Sequence, residues 1–358
     1  MLIEQARQVA RRWAREEGAR LPGFAGAFLT GSALWARPGS ALPPSSDVDV
    51  MLVLDDLRVV PPGKFRYGGV LLEVSLLSWE ALGPPADPAG TVLGHYHLAG
   101  AFHRDGVLAD PSGRLTAIQR AVSHRFAERH WVLARCAHAA ETVRDRIAGM
   151  DEPASLPDQV TAWLFGTGVT AHVLLVAGLR NPTVRRRYEA VGELLAERGL
   201  PGHHEHLLDL LGCADLGPAR VRHHLRELER VFDVAKDVPA PSYRFASDIS
   251  GPAKPVAIGG GHELVDRGLH REAVFWLVAT YARCLAKLAS AGMAASDDGL
   301  RSVLADLGAE TSADRRRRGD RVLAALPGLL HTAESLAPVS DRRDGRTGRR
   351  ARPRRPRR

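Results

Sequence analysis

Cysteine is scarce in this chain. Its three cysteines, Cys136, Cys213 and Cys284, are far apart and odd in number. This spacing excludes a disulfide framework and a zinc site of regular spacing, and it is typical of a reducing compartment. The first residues also lack the apolar core of a signal peptide, and an acidic residue already stands at Glu4. We therefore expect a cytoplasmic protein.

Most of the chain lacks net charge. Of its 49 Lys and Arg and 41 Asp and Glu, ten Arg and two Asp lie in residues 341–358, which leaves 39 of each sign elsewhere. A fold that binds nucleic acid usually spreads positive charge over one face. We therefore expect a small-molecule partner. Nucleic-acid binding stays open through the Arg-rich tail, 337–358, which has almost no apolar residue and is predicted to be disordered.

Long hydrophobic runs are nearly absent as well. Residues 162–179 carry no charge if His172 is neutral. A length of about 18 residues is the lower edge of a transmembrane span. Three glycines, two threonines and the histidine dilute this run. We expect the central helix of a bundle and no membrane span.

The most informative feature that is present joins two apolar runs. The first run ends in Gly31-Ser32, fourteen residues follow, and the second run opens with Asp47-Val48-Asp49. Because strand side chains alternate between faces, Asp47 and Asp49 should point the same way and could hold a hard divalent cation. Gly31 would let the backbone approach a phosphate, and Ser32 would add a hydroxyl and an N–H. The alternative is a turn that two solvent-facing aspartates cap.

A third carboxylate stands in the next apolar run. Glu73 lies between Leu72 and Val74, where a charge is unusual unless a positive group meets it. We predict that Glu73 completes a metal site with the two aspartates. The alternative is an exposed charge on the polar face of an edge strand.

This pattern resembles the nucleotidyltransferase superfamily of DNA polymerase beta. Its signature is a hydrophobic Gly-Ser turn, an Asp-x-Asp pair and a carboxylate one strand later. Within that superfamily the chain is most similar to the bacterial aminoglycoside and lincosamide nucleotidyltransferases. The resemblance covers residues 20–115, and the long connection with Pro38, Gly39, Pro43 and Pro44 departs from it. That connection is either an ordered lid or a floppy insert.

The resemblance implies an α+β fold, which a chain of 358 residues is long enough to build as two domains. A small mixed-sheet nucleotidyltransferase domain is expected at residues 1–120, and an α-helical bundle domain at 121–336. Residues 337–358 are the tail.

The resemblance also implies a reaction. Asp47, Asp49 and Glu73 would hold two Mg²⁺ ions and act in catalysis, while Gly31 and Ser32 would bind the phosphates of ATP or another NTP. A nucleoside monophosphate, with AMP from ATP as the first expectation, would pass to a hydroxyl of a small-molecule acceptor. The proton would go to Glu73 or to a carboxylate of the helical domain. The alternatives are a nucleotidyltransferase acting on RNA or protein and a non-catalytic nucleotide-binding regulator.

Hydrophobic periodicity predicts the secondary structure. Strands are predicted at 25–30, 48–55, 69–77 and 106–111. Helices are predicted at 2–18, 91–99, 117–149, 156–180, 183–199, 203–212, 217–235, 270–291, 297–307 and 316–336.

Residues 239–265, rich in Pro and Gly, are predicted to form a long loop. Their glycines are either a hinge, which we favour, or part of the cleft that binds nucleotide or acceptor. The histidines at 203–206 and 223–224 lack zinc spacing and, like Arg315–Arg318, are predicted to lie on solvated helix faces.

Overall fold

Runs rich in Val, Leu and Phe form a five-stranded sheet in the first third of the chain. The computed structural model describes residues 1–150 and 154–339. Its strands are β1 (Phe24–Leu29), β2 (Val48–Leu54), β3 (Gly63–Tyr67), β4 (Val70–Ser78) and β5 (Val107–Ala109). They lie in the order β3-β4-β2-β1-β5, and β2 and β4 are parallel whereas the other neighbours are antiparallel. This mixed sheet, followed by helices, agrees with the predicted α+β class.

Strand β3 is absent from the sequence-based prediction, which has no strand between 48–55 and 69–77. It is the edge strand next to β4 and contains Lys64 and Arg66. An edge strand needs apolar side chains on one face only and often carries charges. The apolar run that marks the other strands is therefore missing here, although this strand contributes Lys64 to the site.

Five α-helices accompany the sheet. They are α1 (Ile3–Glu16), α2 (Gly31–Trp35), α3 (Pro88–Gly94), α4 (Leu98–Phe102) and α5 (Arg114–Arg125). The predicted single helix at 91–99 is wrong, because the chain breaks between α3 and α4. At this break Nδ1 of His95 accepts hydrogen bonds from the backbone N–H groups of His97 and Leu98, each at 3.3 Å.

Nine further α-helices make up the rest of the described chain. They are α6 (Arg129–Ala148), α7 (Leu156–Ala177), α8 (Arg187–Glu197), α9 (Pro201–Leu211), α10 (Pro218–Ala235), α11 (Gly260–Asp266), α12 (His270–Ser290), α13 (Asp298–Asp306) and α14 (Ser312–Leu336). Helix α7 begins at an N-cap, Ser155, whose hydroxyl accepts the N–H of Asp158. Thr311 and Asp314 cap α14 reciprocally, the arrangement that satisfies two orphan N–H groups.

The predicted long helix at 117–149 is wrong in its continuity, because α5 and α6 are separate. The guanidinium of Arg135 donates to the carbonyl oxygens of Phe126, at 2.7 Å, and Leu93, at 3.1 Å. The carbonyls of Phe126 and Leu93 therefore accept from a side chain instead of from a backbone N–H of their own helix. Arg135 thus stabilises the break and joins α6 to the sheet-forming part of the chain.

Buried side chains form two hydrophobic clusters. One contains residues of the sheet and of α1 to α5, from Ile3 to Val122. The other contains residues of α6 to α14 from Val132 to Ala337, together with Tyr96. We use "sheet part" for residues 1–122 and "helical part" for residues 129–339. The domain boundary near residue 120 stays a prediction.

Helices α7 and α12 are the two, among the described residues, that could cross a membrane by length and composition. Within the fold, 83% of the apolar window of α7 and 78% of that of α12 are buried among other helices. Core helices of soluble proteins pass the same test, so length and composition are weak evidence here. For residues 162–177 the structure shows a largely buried helix, as predicted, and the helix ends at Ala177.

The predicted loop at 239–265 is wrong in character. It contains a 3₁₀ helix (Ala246–Asp248), a π-helical turn (Pro255–Gly259) and α11. The glycines are helical: a Cβ on Gly260 would lie 2.2 Å from a nitrogen of Arg185, and one on Gly261 2.9 Å from Leu225. These glycines therefore permit close packing, and their use as a hinge stays a prediction.

Two predicted solvated faces are also corrected. His224 is buried and its Nε2 lies 2.6 Å from a carboxylate oxygen of Asp306. Arg315 is 4% exposed and donates to the carbonyls of Ala309 and Glu310. Backbone acceptors at the end of a neighbouring turn can bury a guanidinium in this way, and helical periodicity alone does not reveal them. The predicted disordered tail falls, from residue 340 onward, outside the described residues.

Candidate functional site

The parallel pairing of β2 and β4 brings the three predicted carboxylates together. Asp49 in β2 stands directly across from Glu73 in β4, and Asp47 precedes β2 by one residue. One carboxylate oxygen from each of the three lies within 4.8 Å of the others. Because the sequence separates these residues by up to 26 positions, the strand register is what makes them a cluster.

Gly31 lies against this cluster. It has a φ of +62°, and a Cβ at this position would lie 1.8 Å from Oδ2 of Asp49. The N–H of the preceding Thr30 donates to the carbonyl of Asp49 at 3.0 Å. Both the left-handed backbone and the close approach therefore require glycine here. The Gly-Ser turn and the Asp-x-Asp pair therefore contact each other directly, through Gly31 and Asp49.

An unpredicted group, Lys64, lies inside the cluster. Its ammonium donates to Oδ2 of Asp47 at 2.7 Å and to Oε2 of Glu73, and it lies 3.3 Å from Oδ1 of Asp248. The Lys64 side chain is 5% exposed. Its register explains its position, because Lys64 pairs with Glu73 across β3 and β4. The positive group that the buried setting of Glu73 called for is therefore Lys64.

Asp248 reaches the cluster from the helical part. Its Oδ1 faces Lys64, and its Oδ2 accepts from Arg283 of α12 at 2.9 Å. The 3₁₀ helix that carries Asp248 packs closely on β3, since a Cβ on Gly63 would lie 2.2 Å from Oγ of Ser247. A fourth carboxylate and a second cation thus complete the charged centre.

Burial sets the protonation of these groups. It raises the pKa of Asp49 to about 7, and the neighbouring Asp47 charge adds to the effect. Burial also raises the pKa of Glu73 well above its ordinary value, although the Lys64 ammonium opposes this. For Asp47, burial is outweighed by the charge and hydrogen bond of Lys64, which lower its pKa. The centre therefore has more carboxylates than Lys64 can compensate, and a further cation would stabilise it.

Hydrogen bonds attach the Pro-rich connection between Gly31 and Asp47 to both parts of the fold, which argues against a floppy insert, while a lid stays a prediction. Arg7 of α1 donates to the carbonyls of Ala33, Leu34 and Ala36. The hydroxyl of Ser45 donates to Glu263 of α11 at 2.6 Å. The connection thus bridges the sheet part and the helical part beside the cluster.

A cavity of about 790 Å³ opens next to this connection. Ser32 and Ser46, which follow Gly31 and precede Asp47 in the chain, line it, whereas the three carboxylates are not among its lining residues. Residues 178–193 form the wall from the helical part. Four arginines line it: Arg37, Arg104, Arg180 and Arg186. Arg180 pairs with Glu197 and Arg186 with Glu189, whereas Arg37 and Arg104 form no ion pair within residues 1–150 and 154–339. The cavity therefore joins exposed positive charge to the Gly-Ser turn.

Sequence reasoning missed Lys64, Asp248 and Arg283. The chain has only four lysines, and Lys64 is the one in the sheet part. The available signal for Lys64 was its position as an isolated lysine shortly before the apolar run that contains Glu73. Asp248 and Arg283 gave none, because their partners lie far away in sequence.

Comparison with known proteins adds no relative: no protein-family model matches the chain, and no curated protein matches it. The resemblance to nucleotidyltransferases therefore rests on the residues and the geometry described above.

Proposed function

We propose that the protein is a divalent-cation-dependent nucleotidyltransferase. It transfers a nucleoside monophosphate, AMP from ATP in the first instance, to a hydroxyl of a small-molecule acceptor. One observation carries this proposal: three carboxylates converge beside the Gly-Ser turn, and Ser32 of that turn also lines an arginine-lined cavity. The resemblance of the motif to the nucleotidyltransferase superfamily adds to this support. The convergence of the three carboxylates in space is the stronger argument.

The donor set suits Mg²⁺. Asp47, Asp49 and Glu73 offer carboxylate oxygens, the ligands that hard divalent cations prefer. The ammonium of Lys64 stands where such a cation would be bound, which supports a cation-binding role for this position. Bound Mg²⁺ would supply charge stabilisation to the phosphates during transfer. Two ions remain the expectation for the full site.

The nucleotide would bind in the 790 Å³ cavity. Its phosphates would face the Gly31-Ser32 turn, where backbone N–H groups and the Ser32 hydroxyl can donate. Arg37 and Arg104 would bind phosphate oxygens, because both residues line the cavity and neither has a carboxylate partner among the described residues. In that orientation the α-phosphate would lie toward the carboxylates.

The acceptor hydroxyl must lose a proton, and two carboxylates are candidates for it. Asp248, from the helical part, is bound by Lys64 and Arg283. The side chain of Glu73 is 30% exposed and therefore reachable. We assign the proton to Glu73 for this reason.

Calorimetry tests the proposal. Purified protein is titrated with ATP, GTP, CTP and UTP, with and without Mg²⁺, beside the Asp47→Asn/Asp49→Asn variant. Metal-dependent binding of one nucleotide is expected, with at least a tenfold loss in the variant. An Arg37→Ala/Arg104→Ala variant should bind that nucleotide about tenfold more weakly, as expected for charge-assisted hydrogen bonds. The matched control is Arg226→Ala on the exposed face of α10. No metal-dependent binding in the unchanged protein would overturn the proposal.

Lys64 favours one second candidate, a nucleotide-binding regulator without turnover. A lysine that neutralises the carboxylates permanently would leave binding intact and abolish transfer. Release of pyrophosphate from the bound nucleotide in the presence of acceptor hydroxyl compounds separates the two, because only a transferase releases it. A nucleotidyltransferase acting on RNA would use the Arg-rich tail, 337–358, as a tether, and deletion of that tail should then abolish acceptor binding.

A further inference from the structure

Lys64 and a divalent cation need the same oxygens. The ammonium binds Asp47 and Glu73, two of the three carboxylates that face one another. An ammonium has three N–H donors, and the third faces Asp248 at 3.3 Å. All of its partners are therefore carboxylates, and two of them belong to the candidate cation site.

Like charges cannot share this buried position. A divalent cation held by Asp47 and Glu73 would lie a few ångströms from the ammonium, and their repulsion is weakly screened because the Lys64 side chain is 5% exposed. Among the carboxylates that Lys64 contacts, Asp248 is the one outside the set Asp47, Asp49 and Glu73. Asp248 is thus the partner that remains available to it.

We propose that Lys64 is an internal counter-ion that competes with the divalent cation and moves onto Asp248 when the cation binds. This inference rests on the cation site of the proposed function. In the cation-free protein, Lys64 holds the carboxylates together and prevents their repulsion. In the cation-bound protein, it tightens the link between β3 and the 3₁₀ helix Ala246–Asp248, which already pack within contact distance. Cation binding is thereby coupled to the attachment of the helical part.

Mn²⁺ binding without nucleotide tests this coupling. Free Mn²⁺ is measured by electron paramagnetic resonance at pH 8 with the full chain, the Lys64→Met variant and the control Lys254→Met. Met keeps the length and packing of the side chain without its charge. Lys254, a partly exposed lysine of the helical part that pairs with Asp233 and Glu229, is the matched control. We expect Lys64→Met to bind Mn²⁺ at least tenfold more tightly and Lys254→Met to be unchanged.

Asp248→Asn tests the second half and keeps Lys64 in place. Without the alternative partner, Lys64 should stay on Asp47 and Glu73, so that Mn²⁺ binds at least threefold more weakly. In the Lys64→Met background the same change should have no effect, because Asp248 acts through Lys64. An Asp248 that binds the metal directly would weaken binding in both backgrounds and overturn the proposal.

Thermal unfolding gives a second readout in case Lys64→Met weakens the fold. Its melting temperature should fall in EDTA, and Mn²⁺ should raise it by more than in the unchanged protein. Equal or weaker Mn²⁺ binding by Lys64→Met overturns the counter-ion role and leaves the proposed function standing. Tighter binding by Lys64→Met together with no metal-dependent nucleotide binding by the unchanged protein supports the counter-ion role and defeats the transferase.

Discussion

Two buried cations, Lys64 and Arg135, are held in opposite ways. Lys64 is surrounded by carboxylates, and none of its hydrogen bonds described above goes to the backbone. Arg135 donates to the backbone carbonyls of Leu93 and Phe126 and has no carboxylate partner in the part of the chain that the structure describes. Its guanidinium also lies 4.4 Å from the centre of the Phe126 ring.

The difference separates a structural group from an exchangeable one. Carbonyl oxygens carry no net charge and attract a free cation less strongly than carboxylates do, so the contacts of Arg135 are less open to exchange. Carboxylates attract any cation, so the contacts of Lys64 are open to competition. A buried charge thus reveals its role through the chemistry of its partners, and burial alone does not.

Replacement of Arg135 should have the largest effect on stability. Arg135→Met leaves two buried carbonyl oxygens without donors and should lower the free energy of unfolding by about 3 kcal/mol, at 1–3 kcal/mol for each unsatisfied group. Urea unfolding followed by circular dichroism measures this. Mn²⁺ affinity should stay within about twofold of the unchanged protein, because Arg135 lies outside the charged centre.

The control for Arg135 lies on the same helix. Arg144 pairs with Glu141 on the surface of α6. Arg144→Met should change the free energy of unfolding by less than about 0.5 kcal/mol, as is usual for an exposed pair. Equal effects of the two substitutions would contradict the structural role of Arg135.

Gly31→Ala should cost less stability than Arg135→Met, but it should specifically weaken Mn²⁺ binding at the carboxylate centre. The left-handed backbone costs about 1–2 kcal/mol for alanine, and the Cβ would also displace the carboxylate of Asp49. We expect Mn²⁺ binding to weaken at least tenfold. Gly39→Ala is the matched control: its φ is +79°, and a Cβ there meets nothing within 4 Å. It should cost a similar backbone strain and leave Mn²⁺ binding unchanged.

The sequence predicts the carboxylate centre because its parts are local. Gly31-Ser32 and Asp47-Val48-Asp49 mark two strand ends, and alternation along β2 places both aspartates on one face. Glu73 can be found because a charge between Leu72 and Val74 is conspicuous. Lys64 lies in an edge strand without an apolar run, so the same criterion passes over it.

The rest of the site depends on contacts that no local pattern encodes. Asp248 lies 184 residues after Lys64 and reaches it only through the packing of the helical part on β3. The glycines at 259–261 indicate a free backbone by composition, yet Gly260 and Gly261 permit close approach by Arg185 and Leu225. Composition cannot separate these two uses of glycine, since both require the absence of a side chain.

Replacement of His172 should have the smallest effect on stability. It extends the comparison of buried Lys64 and Arg135 to a buried group that is held neutral. It is 1% exposed on α7, and its Nε2 lies 2.9 Å from the carbonyl oxygen of Thr183. Burial lowers its pKa well below the ordinary value, and the positive charge of Arg187 adds to this. The unfolded chain therefore binds a proton near pH 6.5 that the folded protein does not. The stabilising contribution of His172 is complete above that pH and declines as the pH falls below it.

His172→Gln keeps a donor for Thr183 but removes the titration. Between about pH 7.5 and about pH 5.5, we expect the unchanged protein to lose up to about 1.4 kcal/mol more stability than the variant, the equivalent of one pKa unit. Urea unfolding at both pH values measures the difference, with His206→Gln on exposed α9 as the control. If His172→Gln loses as much stability on acidification as the unchanged protein, then His172 is not held neutral. In that case His172 would carry a charge inside the helical part. The contrast with the carboxylate centre, where charged groups can exchange partners, would then no longer hold.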